Sequence, residues 1–90
     1  MRTLLVGYDL NKPGQHYEPL WAKLKSYSTW WHALDSTWMI KADLTAVQLR
    51  DALRPYLDSS DELLVMDVTS DPAAWVGFNQ QASSWIHQHL

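Results

Sequence analysis

The spacing of apolar positions along this chain switches repeatedly between two residues and three to four. From Thr3 to Leu10, Leu4, Val6, Tyr8 and Leu10 share one face and Leu5 takes the other, the period of a largely buried strand. Asn11-Lys12-Pro13-Gly14 breaks it with the residues of a turn. From Gln15 the period lengthens: Tyr17, Leu20, Trp21, Leu24 and Tyr27 make the stripe of an amphipathic helix, with Lys23 and Lys25 off it facing water. Residues 28–42 return to bulky and β-branched side chains, too many for one ordinary strand of about five to six residues. A break at Asp35-Ser36 predicts an antiparallel pair over 29–34 and 36–42.

Thr45 followed by Gln48 is a capping box and predicts a second helix, its stripe Ala46, Leu49, Leu53 and Tyr56 or Leu57, its last turn disturbed by Pro55. After the polar loop Asp58-Ser59-Ser60-Asp61, residues 62–69 form a third apolar run that reads as a central strand. Asp71-Pro72 resembles a helix start that Gly77 limits to about one turn. A last helix is expected from Asn79 through Ala82, Trp85, Ile86 and Leu90.

Two βαβ halves with right-handed crossovers give an α+β, ferredoxin-like βαββαβ domain over residues 1–90, a four-stranded antiparallel sheet plus a C-terminal helix. Such a sheet carries both crossover helices on one face and leaves the other for a partner. Strand alternation sets Trp30, His32 and Leu34 against Trp31 and Ala33, and Trp38 and Ile40 against Thr37, Met39 and Lys41. Both faces of the hairpin are therefore apolar, which predicts a homodimer that buries sheet against sheet, or sheet against the C-terminal helix.

Composition narrows the chemistry. The absence of cysteine excludes a disulfide framework, a thiolate zinc site, an iron–sulfur cluster and a cysteine nucleophile. The early apolar stretch is too short for a signal peptide or a membrane span, so a soluble cytoplasmic domain with no membrane partner is expected. Six tryptophans are many for a core this size and point to subunit interfaces or to a base-stacking platform. Seven basic against ten acidic residues give no long-range field for a polyanion, so nucleic-acid binding needs a local basic stripe or bridging metal ions. The three glycines are isolated, and no phosphate-binding loop or Ser-His-Asp order is present.

Asp9 is the most informative acidic residue. It ends an apolar strand just before a turn, where a carboxylate emerges at the sheet rim. It either caps the turn or, with its copy in a two-fold dimer, holds a hard divalent cation such as Mg²⁺. Ser36 and Thr37 at the hairpin break, and Asn11 and Lys12 after the strand, either meet a phosphate at that rim or serve as ordinary turn and loop residues. His16 lies near enough in sequence to serve as a general base there, whereas His87 and His89 are wrongly spaced for a helical metal pair.

Leu5-Val6-Gly7-Tyr8-Asp9-Leu10, a helix, and then Leu34-Asp35-Ser36-Thr37-Trp38 resemble the CRISPR-associated protein 2 family of small ferredoxin-like dimers. Tyr-Asp-Leu-Asn-Lys-Pro-Gly-Gln at 8–15 with His-Ala-Leu-Asp-Ser-Thr-Trp at 32–38 is similar to the SinR-like small proteins, and distantly to VapD-like toxins. The resemblance spans about residues 3–69. It implies a homodimeric metal-dependent endoribonuclease in which Asp9 from each subunit binds Mg²⁺ or Mn²⁺. Asp9 and Ser36 would be catalytic, with Asn11, Lys12, Thr37 and Trp38 contacting RNA. The alternative is a noncatalytic homo-oligomeric interaction module or a toxin–antitoxin component without nuclease activity.

Overall fold

A computed structural model describes residues 1–12, 14 and 16–90 of the chain. Strand β1 (Arg2–Asp9) leads into helix α1 (Glu18–Lys25), then strands β2 (Thr29–Leu34) and β3 (Thr37–Ala42). Helix α2 (Ala46–Leu53), strand β4 (Glu62–Asp67) and helix α3 (Gln80–His89) follow. Pro13 of the expected turn and Gln15 at the expected start of the first helix lie outside the described residues.

The local reasons match the residues. Pro19 sits in the first turn of α1, where its missing N–H costs nothing, and Glu18 there and Lys23 and Lys25 in the last turn suit the helix dipole. At α2 the capping box forms in full: Gln48 N–H donates to Thr45 Oγ1 at 3.1 Å and Thr45 N–H to Gln48 Oε1 at 2.9 Å. Pro55 converts the end of α2 into a 3₁₀ turn over Arg54–Tyr56. Asn79 caps α3, accepting from Ala82 N–H at 2.8 Å.

All three strand pairings are antiparallel, in the order β2-β3-β1-β4. With α1 and α2 on one face, this is the ferredoxin-like arrangement. On that face Leu4, Val6, Trp38 and Ile40 of the sheet pack with Leu20 and Leu24 of α1 and Leu49 and Leu53 of α2. The centre of this core is polar at one atom. Tyr8 Oη accepts the indole N–H of Trp38 at 2.9 Å and that of Trp21 at 3.2 Å.

Three expectations change. Strand β4 is an edge strand, paired only with β1, so its apolar run is not that of a central strand. Leu63 and Val65 face the core, while Leu64 and Met66 point from the second face and are 57% and 50% exposed. No helix follows Asp71-Pro72: Ser70 at φ 61° and Gly77 at φ 87° frame a non-helical strap. A register shift between Trp31 and Leu34 breaks the alternation of β2 and brings Leu34 to the same groove as Trp31.

The second face is partly covered by the chain itself. Helix α3 lies across it, Ile86 packing with Trp31 and Met39, and with Leu5, Trp75, Phe78 and Trp85 around them. Three tryptophans fasten this layer. Trp31 donates to Ala82 O at 3.2 Å, Trp85 to Thr29 Oγ1 at 2.8 Å, and Trp75 to Ser83 Oγ at 3.1 Å. The buried Thr3 hydroxyl donates to His89 O and ties the end of α3 to β1. Five of the six indoles are thus explained within one chain, two in the core and three holding α3. Among the described residues no helix is long and apolar enough to cross a membrane.

Candidate functional site

Antiparallel pairing of β1 with β4 sets Asp9 directly opposite Glu62, and pairing with β3 sets Gly7 opposite Thr37. Tyr8 N–H donates to Ser36 O at 3.1 Å, drawing the hairpin turn to the same end of β1. The result is a shallow depression of about 460 Å³ lined by Gly7, Tyr8, Asp9, Ser36, Thr37, Glu62, Leu63 and Leu64. Asp9, Glu62 and Ser36 are exposed. Among the described residues no cationic side chain pairs with Asp9 or Glu62. Like charges directly opposite across two strands repel, so this pair is held at a cost to the fold.

Three of the expected site residues therefore meet at one rim: Asp9, Ser36 and Thr37. Glu62 joins them, although the sequence alone did not single it out. Its signal was available only through topology, since the first residue of β4 faces the last of β1 once those strands are paired antiparallel.

Asn11 and Lys12 belong to the adjoining loop latch. Asp61 accepts Asn11 N–H at 2.8 Å, the Tyr17 hydroxyl at 2.8 and 2.9 Å, and Asp58 N–H at 2.7 Å. Partial burial pushes the Asp61 carboxyl up, but these donors outweigh it and hold the group below the usual carboxylate range. Tyr17 responds in the opposite sense, raised first by burial and then by its bond to Asp61. The Asn11 amide donates to Ser60 O at 2.9 Å and lies 3.5 Å from Glu62 Oε1, so it touches the edge of the rim. Lys12 Nζ is 3.1 Å from Asp58 Oδ1, and that lysine, with the Ser60 N–H and hydroxyl, holds Asp58 below the usual carboxylate range.

Trp38 is not at the rim. It is 1% exposed, its ring stacked under His32 at 3.9 Å and its N–H given to Tyr8, so it offers no free face to a substrate. Burial follows from alternation: Trp38 shares its side of β3 with Ile40, the side the two crossover helices cover. His16 is exposed and lies 3.6 Å from Glu18, outside the lining of the rim.

The donor set suits a hard cation of the Mg²⁺ type. Two adjacent carboxylates and two hydroxyls are oxygen groups, and Mg²⁺ is commonly held by one or two carboxylates with water and substrate phosphate completing its shell. Among the described residues no group of three or more His, Cys, Asp or Glu able to hold a metal is present. No family model matches the chain, and no solved structure matches it.

Proposed function

We propose that this protein is a small cytoplasmic homodimer that cleaves RNA at the Asp9 rim with a divalent metal ion. The observation that carries this reading is the unneutralised pair Asp9 and Glu62 at the open end of β1, with Ser36 and Thr37 beside it. The resemblance of the Tyr-Asp and Ser-Thr-Trp segments to CRISPR-associated protein 2 supports the same residues. Asp9 and Glu62 offer oxygen ligands to Mg²⁺ or Mn²⁺, and the ion would polarise a phosphodiester and lower the pKa of bound water. Ser36 and Thr37 donate hydroxyl hydrogens to phosphate oxygens. Asn11 and Lys12 act through the loop latch, tied to Ser60 and Asp58 beside the rim.

The test is cleavage of end-labelled single-stranded RNA with Mg²⁺, with Mn²⁺ and with EDTA, run beside sedimentation velocity. Metal-dependent products from the wild type, absent for Asp9→Ala and sharply reduced for Glu62→Gln with the dimer intact, are expected. Absence of cleavage by the wild type under every metal overturns the catalytic reading.

A second reading, a noncatalytic homo-oligomeric module or toxin–antitoxin component, has its own observation. Leu64, Met66 and Leu34 are exposed on the second face, and Val76 on the strap is 92% exposed beside a groove of about 450 Å³. That apolar surface suits a second copy of the chain whether or not the rim is catalytic. A dimer with no cleavage under any metal selects this reading.

A further inference from the structure

The formal charge of −3 conceals an uneven distribution of cations. Arg2, Lys12 and Arg50 are each committed to a carboxylate, Asp67, Asp58 and Asp51 respectively. Among the described residues the cations without such a partner are Lys23, Lys25, Lys41 and Arg54. Lys23 and Lys25 end α1, and Lys25 reaches Trp30 near the start of β2, so two of the four gather at one end of the β2 edge, while Lys41 opposite Thr29 belongs to the other face of the sheet.

Aromatic rings stand among them. Lys23 Nζ lies 5.4 Å from the Tyr27 ring centroid, and Lys25 Nζ lies 5.4 Å from that of Trp30. Among the described residues Trp30 is the one indole with no hydrogen-bond partner, and it is 40% exposed, its ring tilted against Trp38. Two residues on, exposed His32 stacks flat on Trp38, its ring fixed by a 3.0 Å hydrogen bond between Nε2 and Asp35 O. One face of that imidazole is therefore occupied and the ring is held flat. Beyond His32 the strand reaches Leu34 and the turn that carries Ser36 to the rim.

We propose that this edge is a binding track for single-stranded RNA, with the phosphates drawn by Lys23 and Lys25 and bases stacking on Trp30 and His32. The inference rests on the rim as the reactive end and names its substrate form. Two features select a single strand. Stacking on a protein ring needs an unpaired base, and a duplex offers its bases only at the ends. Strand β2 spans six residues, roughly 20 Å at 3.3 Å per residue, so a chain of a few nucleotides links the lysine end to the rim. The charge complementarity is local, which suits a protein whose overall field repels polyanions.

The test separates binding from cleavage by working in EDTA at low salt. Fluorescence anisotropy with a labelled 12-nucleotide RNA reads affinity for the wild type, Trp30→Ala, and the double variant Lys23→Gln/Lys25→Gln. Loss of one stacking contact weakens binding roughly 5- to 150-fold. Loss of two phosphate contacts lowers the slope of log K against log salt by about 1.4, at roughly 0.7 per phosphate for a single strand. Melting curves for each variant, and the conservative Trp30→Phe restoring much of the affinity, show that the fold is not the cause.

Equal affinity of all variants overturns the track, as does equal or tighter binding of a blunt RNA duplex. A protein that binds RNA through Trp30 but never cleaves it leaves the track standing and removes the catalytic reading. Cleavage that is indifferent to Trp30 and the lysines does the reverse.

Discussion

Replacing Tyr8 by Phe removes one oxygen atom and leaves the ring, so no cavity accompanies the change. That oxygen accepts two indole N–H groups, from Trp38 at 2.9 Å and Trp21 at 3.2 Å. Trp38 is 1% exposed and has no other acceptor among the described residues, so its donor is left unpaired at a cost of about 1–3 kcal/mol. Trp21 is only half-buried and recovers part of its loss from water. The two together come to roughly 2–3 kcal/mol, which lowers Tm by about 10–20 °C in a domain this small. Thermal unfolding followed by far-UV circular dichroism, with urea titration for ΔG, measures both. A second check is coupling: after Trp38→Phe, the further change Tyr8→Phe costs less than it does alone, by about 0.5–3 kcal/mol. A Tm loss under about 3 °C, or strict additivity in the cycle, refutes the claim that Tyr8 serves the core rather than the adjoining rim.

Asp67 gives a pH test. Its carboxyl is lowered to about 2, first by the Thr69 hydroxyl, then by the Thr69 N–H and Arg2. A depressed carboxylate contributes stability that is present above its unfolded value near 4 and is lost as pH falls through about 2. Urea midpoints of the wild type and Asp67→Asn therefore differ at pH 6 and draw together as pH falls from 4 towards 2, and a gap undiminished between pH 4 and 2 contradicts the assignment. Thr45→Ala removes the accepting half of the capping box at α2, for about 1 kcal/mol and a Tm loss of about 4–8 °C. An unchanged Tm there would mean that water caps the helix equally well.

Most of the element order was legible because it depends on short-range chemistry. The Thr45/Gln48 box, Pro55, the alternation of Leu4, Val6 and Tyr8, and the stripe of α1 all act within a few residues. What failed depended on distant neighbours. The apolar run of β4 looks central because nothing in it records that only β1 lies beside it. Asp71-Pro72 has the residues of a helix start, yet Trp75 and Phe78 are drawn onto the sheet with Ile86, and a left-handed Gly77 follows instead of another turn. The bulge in β2 moves Leu34 across the sheet, which strict alternation cannot anticipate.

The tryptophans show the same division at the level of function. Their number pointed toward a subunit interface, and alternation placed Trp30 and Trp31 on opposite faces, but neither says which face a helix covers. Once α3 lies over Trp31, and α1 and α2 over Trp38, Trp30 is left 40% exposed, its N–H without a partner among the described residues and Lys25 above it. The acidic rim and this ring then complement each other physically. Two unneutralised carboxylates repel a phosphate, so affinity for a polyanion has to come from elsewhere on the surface until a cation joins the rim. The lysine-flanked end of β2 lies at the far end of the same short strand, distant enough that its cations leave Asp9 and Glu62 unpaired. A lysine brought to the rim would strengthen binding and also occupy the oxygen atoms a metal ion requires. On the proposed reading, keeping the attractive charges a strand's length from the carboxylates would let one small acidic domain hold an RNA strand while Asp9 and Glu62 stay free for a metal ion.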